Sequence, residues 1–283
     1  MTVKIDFPQD MPSPRELALY GVIAPGWTAA SASKQAQRFG LHAEPRDAGP
    51  WLVCADERYT LEIYQASHSV RLERNHFDAE GRQATSADPI SRDRARSVAE
   101  RFLDSVGDAH AQAELASITE LRVLQATKEQ PKGVARVAGL QVNYRYRLDG
   151  LALVGPGAKA QVTVGNDGEL GQAYRFARQT RLLTMQPAVD AQQAFERFAS
   201  SPRFADLRSD AKVKLHSAKL GLLCLPPTEV QGLLLPVYVL QGEVSTEALP
   251  SEIFTSYVAA VDIDERDAKR QRWLHTRPGL IAA

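Results

Sequence analysis

The sequence predicts an α+β protein built from repeated units of one helix packed on an antiparallel β-sheet. In Gln141-Val-Asn-Tyr-Arg-Tyr-Arg-Leu148 apolar and polar residues alternate, so Val142, Tyr144, Tyr146 and Leu148 share one face and Asn143, Arg145 and Arg147 the other. Gly155-Pro-Gly157 breaks the chain and the alternation resumes over residues 158–164. Asn166-Asp-Gly168 then turns it into a further strand over 169–179. Each amphipathic helix precedes several strands, with no strand-helix alternation that would demand parallel pairing.

Taken in order, Ser13-Pro14-Arg15-Glu16 offers a capping Ser, a Pro at the first helical position and a Glu three residues after the cap. That predicts a short helix over 14–20, with 21–27 as its exit loop. A second helix is expected from Thr28 to Gly40, burying Ala32, Ala36 and Phe39. Residues 51–55, 58–64 and 70–73 read as short strands. Ser91 opens the clearest helix, because Ala95, Val98, Ala99, Phe102, Leu103 and Val106 recur at three-four spacing before the stop at Gly107. Strands over 118–126 and 134–148 lead into the meander. A further helix over 189–199 buries Ala191, Ala194, Phe195 and Phe198, and Pro202 ends it. Three strands follow, over 212–225, 232–242 and 252–263. The run from Leu233 to Leu240 is apolar on both faces, as a central strand would be. Pro226-Pro227 marks a turn, and Asp264-Glu-Arg-Asp267 a polar turn before a last strand or tail through Trp273.

The three longer helices end alike, in Gln37-Arg38-Phe39, Glu100-Arg101-Phe102 and Glu196-Arg197-Phe198, and strands follow each. This divides the chain into units over 1–88, 89–184 and 185–283, at a spacing too uneven for a solenoid. With the helix from Ser91, the strands around Val142–Leu148 and Val162–Val164, and the turn Asn166-Asp-Gly168, the units resemble PepSY-type domains, a cystatin-like helix on a sheet. Leu235-Pro-Val-Tyr238 and Phe254-Thr-Ser-Tyr-Val-Ala-Ala-Val261 resemble the closing strands of tandem regulators of that type. The resemblance implies domains that bind or restrain another protein, often a peptidase or a sensor kinase.

Across 283 residues, 34 basic side chains balance 34 acidic ones, so the one-signed field of a dedicated nucleic-acid or membrane-surface binder is absent. No basic n-region precedes an apolar h-region, and no run approaches a membrane span, which leads to the expectation of a soluble, cytoplasmic protein, or an extracytoplasmic one if a leader was removed. Cys54 and Cys224 sit in apolar runs and read as buried free thiols. None of the six histidines stands at metal-presenting spacing from another, and Asp262, Asp264 and Asp267 lack the glycine and distal glutamate of a calcium loop. Gly155-Pro-Gly157-Ala-Lys159 lacks the spacing and the following helix of a phosphate loop and reads as a turn. No catalytic residue, metal or cofactor is therefore expected.

What remains is the polar face of the meander, where Arg145, Arg147, Lys159 and Arg175 are the candidate partner-binding residues. The expected function is non-enzymatic binding or regulation, a sheet face or edge taking an acidic protein partner. The alternative is a small-molecule tailoring or hydrolytic enzyme with its pocket between units. Nucleic acid is disfavoured because the outward arginines lack interleaved aromatics to stack bases.

Overall fold

Helix α2 (Arg92–Val106) forms where its stripe demands. The Ser91 hydroxyl accepts the Arg94 amide, Gly107 ends the helix at φ 89°, and Ala95, Val98, Ala99, Phe102 and Val106 are buried. A computed structural model describes residues 4–6, 11–75, 77, 89–107, 112–125, 133–200, 211–245 and 251–262. Pro202, the turn expected at Asp264-Glu-Arg-Asp267 and the segment through Trp273 lie outside these residues. Helix α1 (Ala29–Gln37) starts at a Thr28–Ser31 capping box, and α3 (Ala191–Ala199) at Asp190, whose carboxylate accepts the Gln193 amide. No helix among the described residues is long and apolar enough to cross a membrane.

The strands are β1 (Lys4–Asp6), β2 (Glu16–Val22), β3 (Arg46–Asp47), β4 (Trp51–Ala55), β5 (Tyr59–Tyr64), β6 (Val70–Arg74), β7 (Gln112–Gln125) and β8 (Val134–Leu148). They continue as β9 (Leu151–Val154), β10 (Lys159–Gly165), β11 (Leu170–Phe176), β12 (Thr180–Pro187), β13 (Lys212–Leu223), β14 (Leu233–Ser245) and β15 (Glu252–Ala259). All belong to one hydrogen-bonded network, in the order β12-β2-β14-β13-β9-β8-β10-β11-β6-β5-β4-β3, with β1 on β13, β15 on β14 and β7 on β8. Every pairing is antiparallel except β1 and β9 with β13. The α+β, mostly antiparallel character is as expected.

The predicted helix over 14–20 is a strand. Its capping signals are local, whereas β2 gains ladder partners on both sides, β12 and β14, and buries Leu17, Leu19 and Tyr20. Tertiary pairing outweighs a weak helical preference. Strand β2 thus joins the C-terminal strands, while β4–β6 extend the central sheet through β11, and the 184/185 boundary falls inside β12.

Helices α1 and α2 cover one face of the central sheet. Phe102 stacks on Phe39 at 5.7 Å above a core that includes Val142, Tyr144, Val162 and Leu61. Their ends are tied where Gln35 and Arg38 donate to the Ser105 carbonyl at the C-terminus of α2, placing a cation at the negative end of its dipole. Helix α3 seats Phe198 on Phe254 in a second core with Tyr238 and Leu240. Leu234, Leu235, Val237 and Tyr238 are all buried, so β14 is the two-sided central strand its composition predicts.

The glycines of 155–157 form the expected turn for a packing reason. A Cβ on Gly157 would lie 1.8 Å from the Leu225 carbonyl. Beside it the buried Arg178 guanidinium donates to the carbonyls of Leu225 (2.7 Å), Pro226 (2.9 Å) and Glu229 (2.8 Å), fixing the turn after β13. Cys54 and Cys224 are free and buried, and burial pushes the Cys224 thiol up to about 12. Asp149-Gly150, with φ of 47° and 82°, closes the β8–β9 hairpin, and Tyr20 donates its phenol proton to the Asp149 carboxylate.

Replacing Phe102 or Phe198 by Ala is expected to lower the unfolding free energy by about 3–5 kcal/mol in equilibrium denaturation. Tyr20 supplies a pH test, because burial and the Asp149 bond raise its phenol to about 12 from 10.0. Its contribution is complete below the unfolded value and is lost as pH rises through the folded one. Stability is therefore expected to fall between pH 10 and about 12, and the Tyr20→Phe variant to lose that part of the slope.

Candidate functional site

Because side chains alternate along each strand, covering one face with α1 and α2 leaves the other face of seven strands, from β7 through β8, β10, β11, β6 and β5 to β4, without a helix among the described residues. The ladder registers set its side chains in cross-strand rows. One row begins with Trp51 opposite Tyr64 and passes over Ser69 to Phe176, then Lys159, Arg145 and Glu114. The next runs through Glu62, Arg71, Tyr174, Gln161, Asn143 and Ser117.

The first row is aromatic at one end and cationic beyond it. Trp51 meets Tyr64 edge-on at 6.2 Å, and Tyr64 meets Phe176 edge-on at 5.4 Å across the small Ser69. Phe176 stacks on Tyr174 at 4.6 Å, and the Lys159 ammonium lies 5.6 Å from the Tyr174 ring centre. Lys159 and Arg145 face each other directly, an arrangement of like charges that costs stability. Neither makes an ion pair among the described residues, whereas Arg147 lies 3.7 Å from Glu114 and donates to the Gly150 carbonyl.

The second row is pre-set by hydrogen bonds. Gln161 donates to Asn143 at 2.8 Å, Asn143 to the Ser117 hydroxyl at 3.1 Å, and Gln141 to Gln161 at 3.3 Å. Arg71 is held by Glu73 at 2.7 Å and Glu62 at 3.7 Å, and its Nη2 also donates to the Gln172 carboxamide oxygen at 2.7 Å. The exposed charges of Arg145 and Lys159 therefore border a polar strip whose own charges are already matched.

Arg145, Arg147 and Lys159 lie on this open face, and Arg145 and Lys159 adjoin. Arg175 does not join them. It pairs across the strands with Ala160 and Val70, faces the helix-covered core at 4% exposure, and sits beside Tyr146. Burial raises the Tyr146 phenol, against the opposing pull of Arg175. Strand β11 instead turns Gln172, Tyr174 and Phe176 outward, so aromatics do interleave with the cations and the premise that they are missing fails. The i, i+2 spacing of Tyr174 and Phe176 was the signal available for them. Among the described residues no group of three or more His, Cys, Asp or Glu is placed to hold a metal ion.

No family model matches the chain, and no curated protein matches it in sequence. The fold is similar to the crystal structure of an uncharacterized protein from Eubacterium rectale, at a TM-score of 0.50 and 8% identity. The match covers 91% of this chain and 85% of that one, a likeness of fold alone.

Reversing both exposed arginines, Arg145→Glu with Arg147→Glu, is expected to change the unfolding free energy by less than about 1 kcal/mol. Arg175→Glu, which buries a carboxylate in the helix-covered core, is expected to cost more than about 2 kcal/mol in the same denaturation experiment.

Proposed function

We propose that this chain is a non-enzymatic binding or regulatory protein that captures a protein partner on the open face of its large sheet. The observation supporting this above others is the packed aromatic row running into Lys159 and Arg145, two adjoining cations that make no ion pair among the described residues, Glu114 across from Arg145 lying 3.7 Å from Arg147 instead. The half-buried rings of Trp51 and Phe176 offer apolar contact, and the cations offer charge, so the complementary ligand carries an apolar side chain flanked by Asp or Glu. Tyr174 is already stacked by Phe176 and approached by Lys159, which favours a polypeptide over nucleic-acid bases that need a free ring face. The resemblance to tandem PepSY-type regulators, which bind or restrain other proteins, points the same way.

A displayed random-peptide library selected on the full chain, followed by titration of the winning peptide, tests the reading. The selected sequences are expected to combine apolar and acidic residues, and their affinity to fall as salt is raised from about 0.05 to about 0.5 M. Arg145→Glu with Lys159→Glu is expected to weaken binding at least about tenfold, the scale of a lost charge pair. Binders indifferent to that double variant and to Phe176→Ala would overturn the proposal.

A further inference from the structure

Directly opposed side chains on antiparallel strands have Cβ atoms about 4.5–5.5 Å apart, so like charges in such a pair repel and opposite charges are the stabilising choice. The open face follows that choice at Arg71, which lies opposite Glu62 and holds Glu73 at 2.7 Å. Exposed arginines elsewhere do likewise, Arg58 with Glu169 at 2.9 Å and Arg122 with Glu120 at 2.7 Å. Lys159 opposite Arg145 departs from it, and both side chains are exposed. Val142, Tyr144, Ala160 and Val162 are buried on the other face of the same two strands, so neither strand can slip its register to separate the charges.

The neighbouring charges leave this pair to a ligand. Glu114 lies opposite Arg145 on β7 but approaches Arg147, at 3.7 Å, so those two charges match each other. Asp149, at the hairpin beyond Arg147, accepts the Tyr20 phenol, which belongs to the core on the other face. The Lys159 ammonium leans over Tyr174, 5.6 Å from the ring centre, and the half-buried Phe176 stands opposite Lys159 on its far side. A group settling here meets two positive charges at once, beside an aromatic ring. A carboxylate brings one negative charge and two oxygens to them. A phosphoryl group on a side chain brings roughly two negative charges and three acceptor oxygens, enough for the guanidinium fork and the ammonium together.

Resting on the reading of this face as a polypeptide-binding surface, we infer that Lys159 and Arg145 form a phosphate subsite and that the captured segment carries a phosphorylated side chain next to an apolar one. The phosphoryl group lies between β8 and β10, and its apolar neighbour rests on Phe176. Phosphorylation of the partner then controls its capture, because the unmodified side chain leaves the two cations opposed.

Peptide pools of one design, with a fixed central Glu, Ser, phosphoserine or phosphotyrosine and degenerate flanks, are titrated against the full chain by fluorescence anisotropy. A phosphorylated pool is expected to bind at least about tenfold more tightly than the Glu pool, the scale of one further charge pair. Arg145→Gln with Lys159→Gln is expected to remove that gain. Arg122→Gln, whose charge Glu120 already matches, is expected to keep it. If no pool binds, the inference falls together with the reading it rests on. A Glu pool that equals the phosphorylated ones overturns the inference alone, as does a gain that survives the double variant or is lost equally in Arg122→Gln. Displacement of the phosphorylated pool by an equal concentration of inorganic phosphate would make the ligand a free ion and overturn it too.

Discussion

Burying Val142, Tyr144, Tyr146, Ala160, Val162 and Ala173 beneath α2 fixes the direction of every other side chain on the central sheet. The strand period is two, so the residues between them must point the opposite way. Helix α1 does the same over Leu52, Cys54, Leu61 and Ile63, and the two helices are locked together through Phe39, Phe102 and the capped end of α2. The open face is thus a consequence of the core. Its rows are straight because the registers between β8, β10, β11, β6 and β5 agree, and because Phe176 can reach Tyr64 over a serine.

The alternation in β8 and β10 was readable because each strand has small or aliphatic residues inward and charged or amide residues outward. Strand β11 defeats that reading. Its inward set is Gly171, Ala173 and Arg175, and its outward set Gln172, Tyr174 and Phe176, so hydrophobicity alone assigns the wrong phase. Only pairing with β10, which sets Arg175 against Ala160, decides it. Helices α1, α2 and α3 were legible from caps and stripes, which are local signals. Strands β2 and β12 were not, since β2 carries a helix-start motif and β12 is exposed on both faces, and their pairing joins residues far apart in the chain.

The same logic separates the two kinds of arginine. Arg178 and Arg175 are buried, the first spanning three carbonyls to hold the turn after β13 and the second beside Tyr146 under the helices. They belong to the architecture. Arg145 and Lys159 make no ion pair among the described residues and stand against each other at an energetic cost, beside the half-buried rings of Tyr174 and Phe176. That contrast, rather than the number of positive charges, is the ground on which a recognition surface is proposed here.

The phase of β11 is the most direct test, since both the core and the open face depend on it. With Cys54 and Cys224 replaced by Ala, single cysteines are placed in turn at positions 171 to 176 and modified by a water-soluble thiol reagent under native conditions. Fast labelling is expected at 172, 174 and 176 and slow labelling at 171, 173 and 175. Labelling of Arg175→Cys as fast as that of Tyr174→Cys would contradict this phase.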